Sequence, residues 1–232
     1  MIRVRAVLTG RVAPLGPRHV PSGIGKQPRN GPVRLHRDGF ANDEQGDRRH
    51  HGGPEKAVHH CPFDHYAAWR ERLPQAAARL AAPGAFGENI STLGMTEAEV
   101  CIGDVYRLGG ARVQVSQGRQ PCWRLNERFG EPDMARLVQE SRRTGWYYRG
   151  LEEGEVGPGD DVVLIDRPAP MWTLDHVMNV LYRDLLNLAR LTALAELTEL
   201  SESWRTLARR RLERMSVEDW SARLCTPPEV AP

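Results

Sequence analysis

No apolar stretch in the 232-residue sequence approaches the roughly 18 residues that a membrane-spanning helix requires. The amino terminus also lacks the apolar core of a secretion signal. From these two absences we expect a cytoplasmic protein without a membrane partner. No Cys-x-x-Cys pair occurs, so the sequence indicates neither a disulfide framework nor a standard zinc site. The four cysteines, which we expect to be free thiols, are Cys61, Cys101, Cys122 and Cys225.

An excess of charge of one sign is also missing. The chain has 32 basic and 30 acidic residues, and Lys26 and Lys56 are its only lysines. This balance does not indicate a nucleic-acid partner, because such proteins usually present a strong positive field. The arginines that make up the other basic residues suit bidentate binding of phosphate groups. With 40% hydrophobic residues, the chain can bury a sizeable core.

Short apolar segments separated by glycine and proline fill the first two thirds of the chain. Residues 105–115 have the pattern of a hairpin that turns at Gly109-Gly110, and residues 162–165 are apolar enough for a strand buried on both faces. Helical spacing is present at residues 63–73 and 132–142. Many short strands with scattered helices predict a mixed α/β fold over residues 1–168, mainly a closed antiparallel β-barrel with peripheral helices.

Residues 169–232 differ from the rest, because helical periodicity replaces the strand pattern. We predict a small three-helix C-terminal domain here, with Thr173 and Ser201 as helix N-caps. Arginines in its third helix are expected to form a solvated face, and a DNA-binding helix-turn-helix stays open as an alternative, although acidic residues offset the arginines. These arginines are Arg205, Arg209, Arg210, Arg211 and Arg214.

The first of three clusters that could carry chemistry spans residues 47–61 and contains four of the eight histidines. Its glycines, Gly52 and Gly53, permit close approach of the backbone to a ligand and can orient amides toward an anion. His51 and Lys56 could add charged hydrogen bonds to a phosphate. Surface histidines beside a turn are one alternative. A zinc site is another, and its candidate ligands would be His59, His60, Cys61 and His65.

The second cluster is the pair Glu88-Asn89, which follows Gly87 at the start of a predicted strand. Two polar residues in such a position need partners if they are buried. A ligand or the backbone of a neighbouring loop could supply them.

The third cluster places Cys122 after Gln117, Arg119, Gln120 and Pro121, where a strand ends. A neighbouring arginine and further hydrogen-bond donors lower the pKa of a thiol and so favour the thiolate. An inert buried thiol is the ordinary alternative. A thiol hydrolase that pairs Cys122 with His51 also stays open, because the sequence cannot place the two in contact.

In their order along the chain, these clusters resemble the MOSC domain family, and in particular its YiiM-type members. The resemblance extends over most of residues 1–166, and the helical tail, including Ser203-Trp204, resembles the three-helix domain of the same proteins. The matching segments are Gly46-Asp47, residues 51–58, Tyr66, Trp69, residues 86–91, residues 103–106, residues 113–117, Pro121-Cys122 and Leu125-Asn126.

The resemblance implies a molybdenum cofactor (molybdenum bound to molybdopterin) whose protein ligand is Cys122. It further implies reduction of N-hydroxylated small molecules to amines, as in detoxification of 6-N-hydroxylaminopurine-type bases and hydroxylamines. Electrons would come from a separate flavin or iron–sulfur reductase, and protons from His51 or His59. The expected catalytic residues are therefore Cys122, His51 and His59. The expected cofactor-binding residues are Asp47, His51, Gly52, Gly53, Lys56, Glu88, Asn89, Gln117, Arg119, Gln120 and Cys122.

Other functions remain open for a chain of this kind. A non-catalytic carrier of the cofactor or of sulfur is one, and a zinc- or anion-binding barrel that shares only the scaffold is another. The resemblance is also compatible with a homodimer. Residues 18–45 are richer in Arg, Asn and Gly than the family pattern, and we expect loops there to shape the mouth of the pocket.

Overall fold

The computed structural model describes residues 1–47 and 51–228, and strands dominate its first two thirds. Within these residues the helices are short, and none is long and apolar enough to cross a membrane. The strands are β1 (Ile2–Arg3), β2 (Ala6–Thr9), β3 (Ala13–Leu15), β4 (Val20–Ser22), β5 (Gln27–Pro28), β6 (Val33–His36), β7 (Gly39–Phe40), β8 (Val58–His60), β9 (Ile90–Ser91), β10 (Val105–Leu108), β11 (Ala111–Gly118), β12 (Trp146–Glu152), β13 (Gly154–Val156) and β14 (Asp161–Asp166). The helices are α1 (His65–Arg72), α2 (Arg124–Phe129), α3 (Met134–Ser141), α4 (Leu174–Tyr182), α5 (Leu188–Glu196), α6 (Glu202–Arg214) and α7 (Ser221–Leu224).

Nine of the strands form one curled sheet in the order β1-β14-β10-β11-β12-β8-β9-β2-β5. All its pairs are antiparallel except β8 with β9, which run parallel. The sheet is an open half-barrel, because its end strands, β1 and β5, do not pair with each other in the described part of the chain. The predicted closed barrel is therefore not found. Both end strands have only two residues, and Pro28 in β5 has no N–H to donate to a further neighbour.

The predicted hairpin is confirmed. Strands β10 and β11 pair from Val105 with Gln114 to Leu108 with Ala111, and Gly109 in the turn has a φ of 55°. Strand β11 has eight residues and its far end leads directly into the segment that carries Cys122.

The prediction that residues 162–165 are buried on both faces is wrong for the last two of them. Val162 is buried, but Leu164 and Ile165 are 43% and 50% exposed. Strand β1 pairs with β14 only at Asp161 and Val162, so the later part of β14 has a neighbouring strand on one side only.

The C-terminal helices pack on the sheet and share its apolar core, which includes Val113, Val177 and Trp204. Thr173 caps α4 as predicted, since its side chain accepts a hydrogen bond from the backbone N–H of His176 at 3.1 Å. Ser201 stands at the N-cap position of α6, but its hydroxyl lies 3.1 Å from the hydroxyl of Ser203 and makes no capping bond.

The prediction that the arginines of the third helix form a solvated face is wrong for Arg211, which is 1% exposed. Its guanidinium donates to the carboxylate of Glu218 at 2.7 and 2.9 Å and to the Leu181 carbonyl at 2.9 Å. A buried guanidinium is tolerated when it is paired in this way. The short helix α7, beyond Glu218, was not predicted.

Candidate functional site

A cleft of about 610 Å³, including its open mouth, lies where strands β8, β11 and β12 meet the loops at residues 22–26, 43–47 and 86–89. We call it the cysteine cleft. The structure brings eight of the predicted site residues together along its wall. They are Asp47, His51, Gly52, Lys56, His59, Asn89, Arg119 and Cys122.

Cys122 follows β11 and precedes α2, and its side chain is 8% exposed. Its Sγ lies 3.8 Å from Nε2 of His51. Burial by itself would raise the pKa of this thiol. The hydrogen bond and charge of His51, the charge of Arg119 and the backbone N–H of Arg124 outweigh burial and lower the pKa to about 6. Cys122 is therefore a thiolate at neutral pH.

Arg119 is 5% exposed and points its side chain at the same cleft. Its backbone N–H donates to the Gly145 carbonyl at 2.9 Å. This bond fixes the start of residues 119–123, which connect β11 to α2 and which we call the cysteine segment. Its Nη1 atom has no hydrogen-bond partner within the part of the chain that the structure describes. A buried charged donor without an acceptor is costly, so this atom indicates a place for an anionic group of a ligand.

Arg124 and Lys56 add positive charge near Cys122. The guanidinium of Arg124 lies 4.9 Å from the ring centroid of Trp123 and 3.6 Å from the carboxylate of Asp47. Lys56 ends a short 3₁₀ helix, and burial lowers its pKa, although the charges of Cys122 and Glu55 oppose that effect. Arg119, Lys56 and Arg124 thus line the same cleft as Cys122, which suits an anionic ligand.

His59 lies deeper in the cleft, on β8. Its Nε2 is 3.3 Å from the Thr144 carbonyl, and its backbone N–H donates to Oδ1 of Asn89 at 3.1 Å. Burial and the neighbouring charge of Arg119 lower the pKa of His59 well below its ordinary value. The ring is neutral at physiological pH.

Two residues of the cleft that the sequence analysis did not select are Lys26 and Asp43. The Nζ of Lys26 lies 2.5 and 2.6 Å from the two carboxylate oxygens of Asp43, which also accepts from Nδ2 of Asn89 at 2.9 Å. Burial lowers the pKa of Lys26 and the charge of Asp43 opposes this. The scarcity of lysine was a signal that could have pointed to Lys26. Both residues belong to the stretch 18–45, which does line the mouth of the cleft.

The remaining predicted residues lie elsewhere. Glu88 is buried outside the cleft lining, where it accepts from the backbone N–H groups of Gly84 at 2.6 Å and Phe86 at 3.1 Å and from the Tyr66 hydroxyl. It therefore holds the turn that carries Gly87 into the cleft. Gly53 is exposed and lines neither of the two cavities that contain Cys122.

Gln117 and Gln120 line a second cavity, of about 1210 Å³ including its open mouth. We call it the tail cavity, because Ala222 and Arg223 of helix α7 form part of its wall. The boundary that it shares with the cysteine cleft consists of Asp47, His51, Lys56, Cys122, Arg124 and Tyr147.

The four candidate zinc ligands do not converge. His60 lies between the hydroxyls of Tyr148 and Thr92, at 2.9 and 2.8 Å, while His65 bonds Glu97 at 2.6 Å. Burial raises the pKa of the Cys61 thiol well above its ordinary value. Among residues 1–47 and 51–228, no group of three or more His, Cys, Asp or Glu side chains is arranged to hold a metal ion.

Comparison with known proteins agrees with this architecture. Residues 47–163 match the MOSC domain, and residues 172–214 match the YiiM-like, 3-alpha helix domain. Protein YiiM of Escherichia coli (strain K12) is 37% identical over 219 residues, which cover 94% of this chain and 96% of that protein. The crystal structure of YiiM from Geobacillus stearothermophilus superimposes with a TM-score of 0.77 at 32% identity, covering 91% of this chain and 100% of the other.

A further relative is a protein of Gibberella moniliformis named reductase. It is 38% identical over 182 residues, which are 78% of this chain but only 32% of that longer protein. The domain order, the identity and the shared fold lead to one conclusion. The chain belongs to the MOSC domain family and is one of its YiiM-like members, with the three-helix domain after the MOSC domain.

Proposed function

We propose that this protein is a molybdenum-cofactor-dependent oxidoreductase that reduces N-hydroxylated compounds, such as N-hydroxylaminopurine-type bases and hydroxylamines, to amines. The observation that carries the proposal is the position of Cys122, whose buried Sγ lies 3.8 Å from His51 on the wall of a cleft that Arg119, Lys56 and Arg124 also line. A soft thiolate is the ligand that a redox-active metal such as molybdenum accepts. Membership of the MOSC family and the name of the Gibberella reductase support a redox role.

The residues present fit the cofactor. Molybdopterin carries a phosphate, and the unpartnered Nη1 of Arg119 offers that phosphate a buried, charged donor. Lys56 and Arg124 line the same wall and add positive charge. Cys122 would hold the metal. The cofactor, when bound, supplies the two-electron chemistry that cleaves an N–O bond.

The protein's own part in the reaction is to bind, orient and deliver protons. Reduction of one N–OH group to an amine consumes two electrons and two protons and releases water. His51 lies beside Cys122 on the boundary of both cavities, so it can pass protons to a substrate there. His59 is held neutral by burial and by Arg119, and its Nε2 faces the Thr144 carbonyl. We therefore assign proton delivery to His51 and a structural role to His59.

Electrons would reach the site from a separate flavin or iron–sulfur reductase. In the Gibberella reductase, the segment similar to this chain makes up 32% of the protein. A MOSC unit within a longer redox protein supports the idea that such a unit works together with an electron-donating unit.

The proposal is tested on protein produced in cells that make the cofactor. Its molybdenum and pterin contents are measured, and so is its rate of substrate reduction. Elemental analysis and pterin fluorescence should show near-stoichiometric molybdenum and pterin. Cys122→Ala should lose the metal, while Cys101→Ala, at a buried thiol that lines neither cavity, should keep it. With a chemical reductant the loaded protein should convert N-hydroxylaminopurine to aminopurine. Stoichiometric zinc without molybdenum would contradict the proposal, and a loaded protein without turnover would favour the carrier.

The contact between Cys122 and His51 favours one other candidate, a thiol hydrolase. A thiolate paired with an imidazole can attack an ester or thioester carbonyl without any metal. This candidate predicts that metal-free protein hydrolyses a thioester and forms an acyl adduct on Cys122, visible by mass spectrometry. The molybdenum proposal predicts neither.

A further inference from the structure

The cysteine cleft and the tail cavity differ in chemistry, although both contain Cys122. Among the residues that only the cleft contains, the charged ones are Lys26, Asp43, Glu44 and Arg119. Lys26 is paired with Asp43, whereas Nη1 of Arg119 has no partner in the described part of the chain, so Arg119 is the cation there that can meet an anionic group. The residues that only the tail cavity contains are mainly uncharged. They are Gln117, Gln120, Trp123, Ser203, Ala222 and Arg223.

The single charged group among these six is already engaged. Arg223 donates from Nη1 to the Pro121 carbonyl at 2.6 Å and from Nη2 to Oε1 of Gln139 at 2.5 Å. Away from the boundary with the cleft, where Lys56 and Arg124 lie, the tail cavity therefore presents the Gln120 amide, the Ser203 hydroxyl and the ring of Trp123, which suit a neutral polar molecule.

We propose that the tail cavity is the substrate chamber, and that Ser203, Ala222 and Arg223 of the helical domain determine the size of substrate that it accepts. This inference rests on the proposed function. The cofactor's phosphate would be held in the cysteine cleft, and a neutral, planar N-hydroxylated base would approach Cys122 from the tail cavity. Such a base presents both donors and acceptors along its edge, as the amide of Gln120 does. The amide of Gln117 is buried and already bonds the Gly118 carbonyl and the Ser203 hydroxyl, so it supports the wall.

Hydrogen bonds attach helix α7, which forms one wall of the tail cavity, to the cysteine segment. A chamber of defined size requires a wall that is held in place in this way. The backbone N–H of Trp123 donates to the Arg223 carbonyl at 2.8 Å, in addition to the bond from Arg223 to Pro121. Nδ2 of Asn126 donates to the Leu224 carbonyl at 2.9 Å. Three bonds thus join residues about a hundred positions apart and hold the tail against the turn that carries Cys122.

Ala222 offers a way to change this chamber alone. Its side chain is exposed, lies on the wall of the tail cavity and is absent from the lining of the cysteine cleft. Replacing it with Trp narrows the chamber without removing a hydrogen bond. Ala193→Trp is the matched control, because Ala193 is an exposed alanine of helix α5 that lines neither cavity.

The test compares a bulky substrate, N-hydroxylaminopurine, with a small one, hydroxylamine, on cofactor-loaded protein. Ala222→Trp should raise KM for the purine by about tenfold or more, on the scale of discrimination by a shaped pocket, and leave KM for hydroxylamine unchanged. Molybdenum and pterin contents should equal those of the wild type, and Ala193→Trp should behave as wild type. Equal KM changes for both substrates, or none, would overturn the inference while the wild-type turnover upholds the proposed function.

A second measurement separates the inference from the reaction. Cofactor-free protein is titrated with N-hydroxylaminopurine by calorimetry, and Ala222→Trp should weaken the binding that wild type and Ala193→Trp show by about tenfold or more. If none of the proteins reduces the substrate but binding follows this pattern, the assignment of the substrate chamber is supported and the proposed reaction is wrong. Absence of binding to the wild type, or binding that Ala222→Trp does not weaken, overturns the chamber.

Discussion

Cys122 and His51 are 71 positions apart in the sequence, and the fold places Sγ of one 3.8 Å from Nε2 of the other. His51 belongs to the loop before β8, and Cys122 to the turn after β11. The contact joins two sequence clusters that neither composition nor spacing could connect. It also gives the thiol most of the stabilisation that opposes burial, so it decides the protonation state of the site.

The titration of Cys122 should be measurable in cofactor-free protein. In a Cys225→Ser background, which removes the exposed thiol, the rate of alkylation by iodoacetamide should rise with pH to a plateau, with a midpoint near pH 6. Protonation below that pH removes the nucleophile. His51→Gln should move the midpoint upward, because the hydrogen bond and charge of His51 are lost. A midpoint near the ordinary thiol pKa in the parent would contradict the assignment.

Arg119 and Lys56 should control cofactor retention rather than folding. Arg119→Gln should weaken retention by about 10- to 100-fold, since a hydrogen bond to a charged group is worth about 1.5–3 kcal/mol. Lys56→Ala should act in the same direction, and neither should lower the urea midpoint as much as it lowers pterin content. Arg34→Gln, an exposed arginine on β6, is the control. An unchanged pterin content in Arg119→Gln would show that Arg119 does not bind the phosphate of the cofactor.

The pair of Lys26 and Asp43 should be a main support of the cleft mouth. Asp43→Asn leaves the Lys26 ammonium buried without its counter-charge, and losses of about 3–5 kcal/mol are typical of such a change. The double variant Lys26→Met with Asp43→Asn should recover part of that loss, because no unpaired charge remains. Urea unfolding of both variants measures the difference. Equal destabilisation of single and double variants would show that charge pairing is not the cause.

Glu88 should act on stability and not on the cofactor directly. Glu88→Ala leaves the donors on Gly84, Phe86 and Tyr66 without an acceptor, at a cost of about 1–3 kcal/mol for each group that stays buried. A lower melting temperature with metal content retained in the folded fraction is expected. Loss of metal from protein of unchanged stability would instead support contact between Glu88 and the pterin.

Much of the site was visible in the sequence because its members cluster locally. Arg119 and Cys122 are three residues apart, and His51, Gly52 and Lys56 lie within six residues, so the local sequence pattern was enough to identify them. Lys26 and Asp43 pair across two irregular loops, where no periodicity indicates which residues meet. Their recognition needs the three-dimensional path of the chain.

The fold was predictable where the periodicity of apolar residues is strong, as in β10, β11 and α4. The predictions failed where contacts with residues distant in the sequence determine the structure. Closure of a barrel requires its two end strands to pair, and β1 and β5, with two residues each, are too short for a sequence pattern to define. The pattern of polar residues predicts that Arg211 lies at the surface. Its burial is tolerated because Glu218 and the Leu181 carbonyl accept its hydrogen bonds, and the sequence does not show that they lie beside it.

The attachment of helix α7 to the cysteine segment also determines when the site can form. Pro121 and Arg223, which are bonded, are 102 positions apart. A ribosome that adds about 5–20 residues per second needs on the order of 5–20 s to make the intervening chain. During that interval the turn lacks its partners from α7. Assembly of the environment of Cys122 is therefore a late event in biosynthesis, and the proposed cofactor, if it needs that environment, would be inserted after translation has passed Leu224.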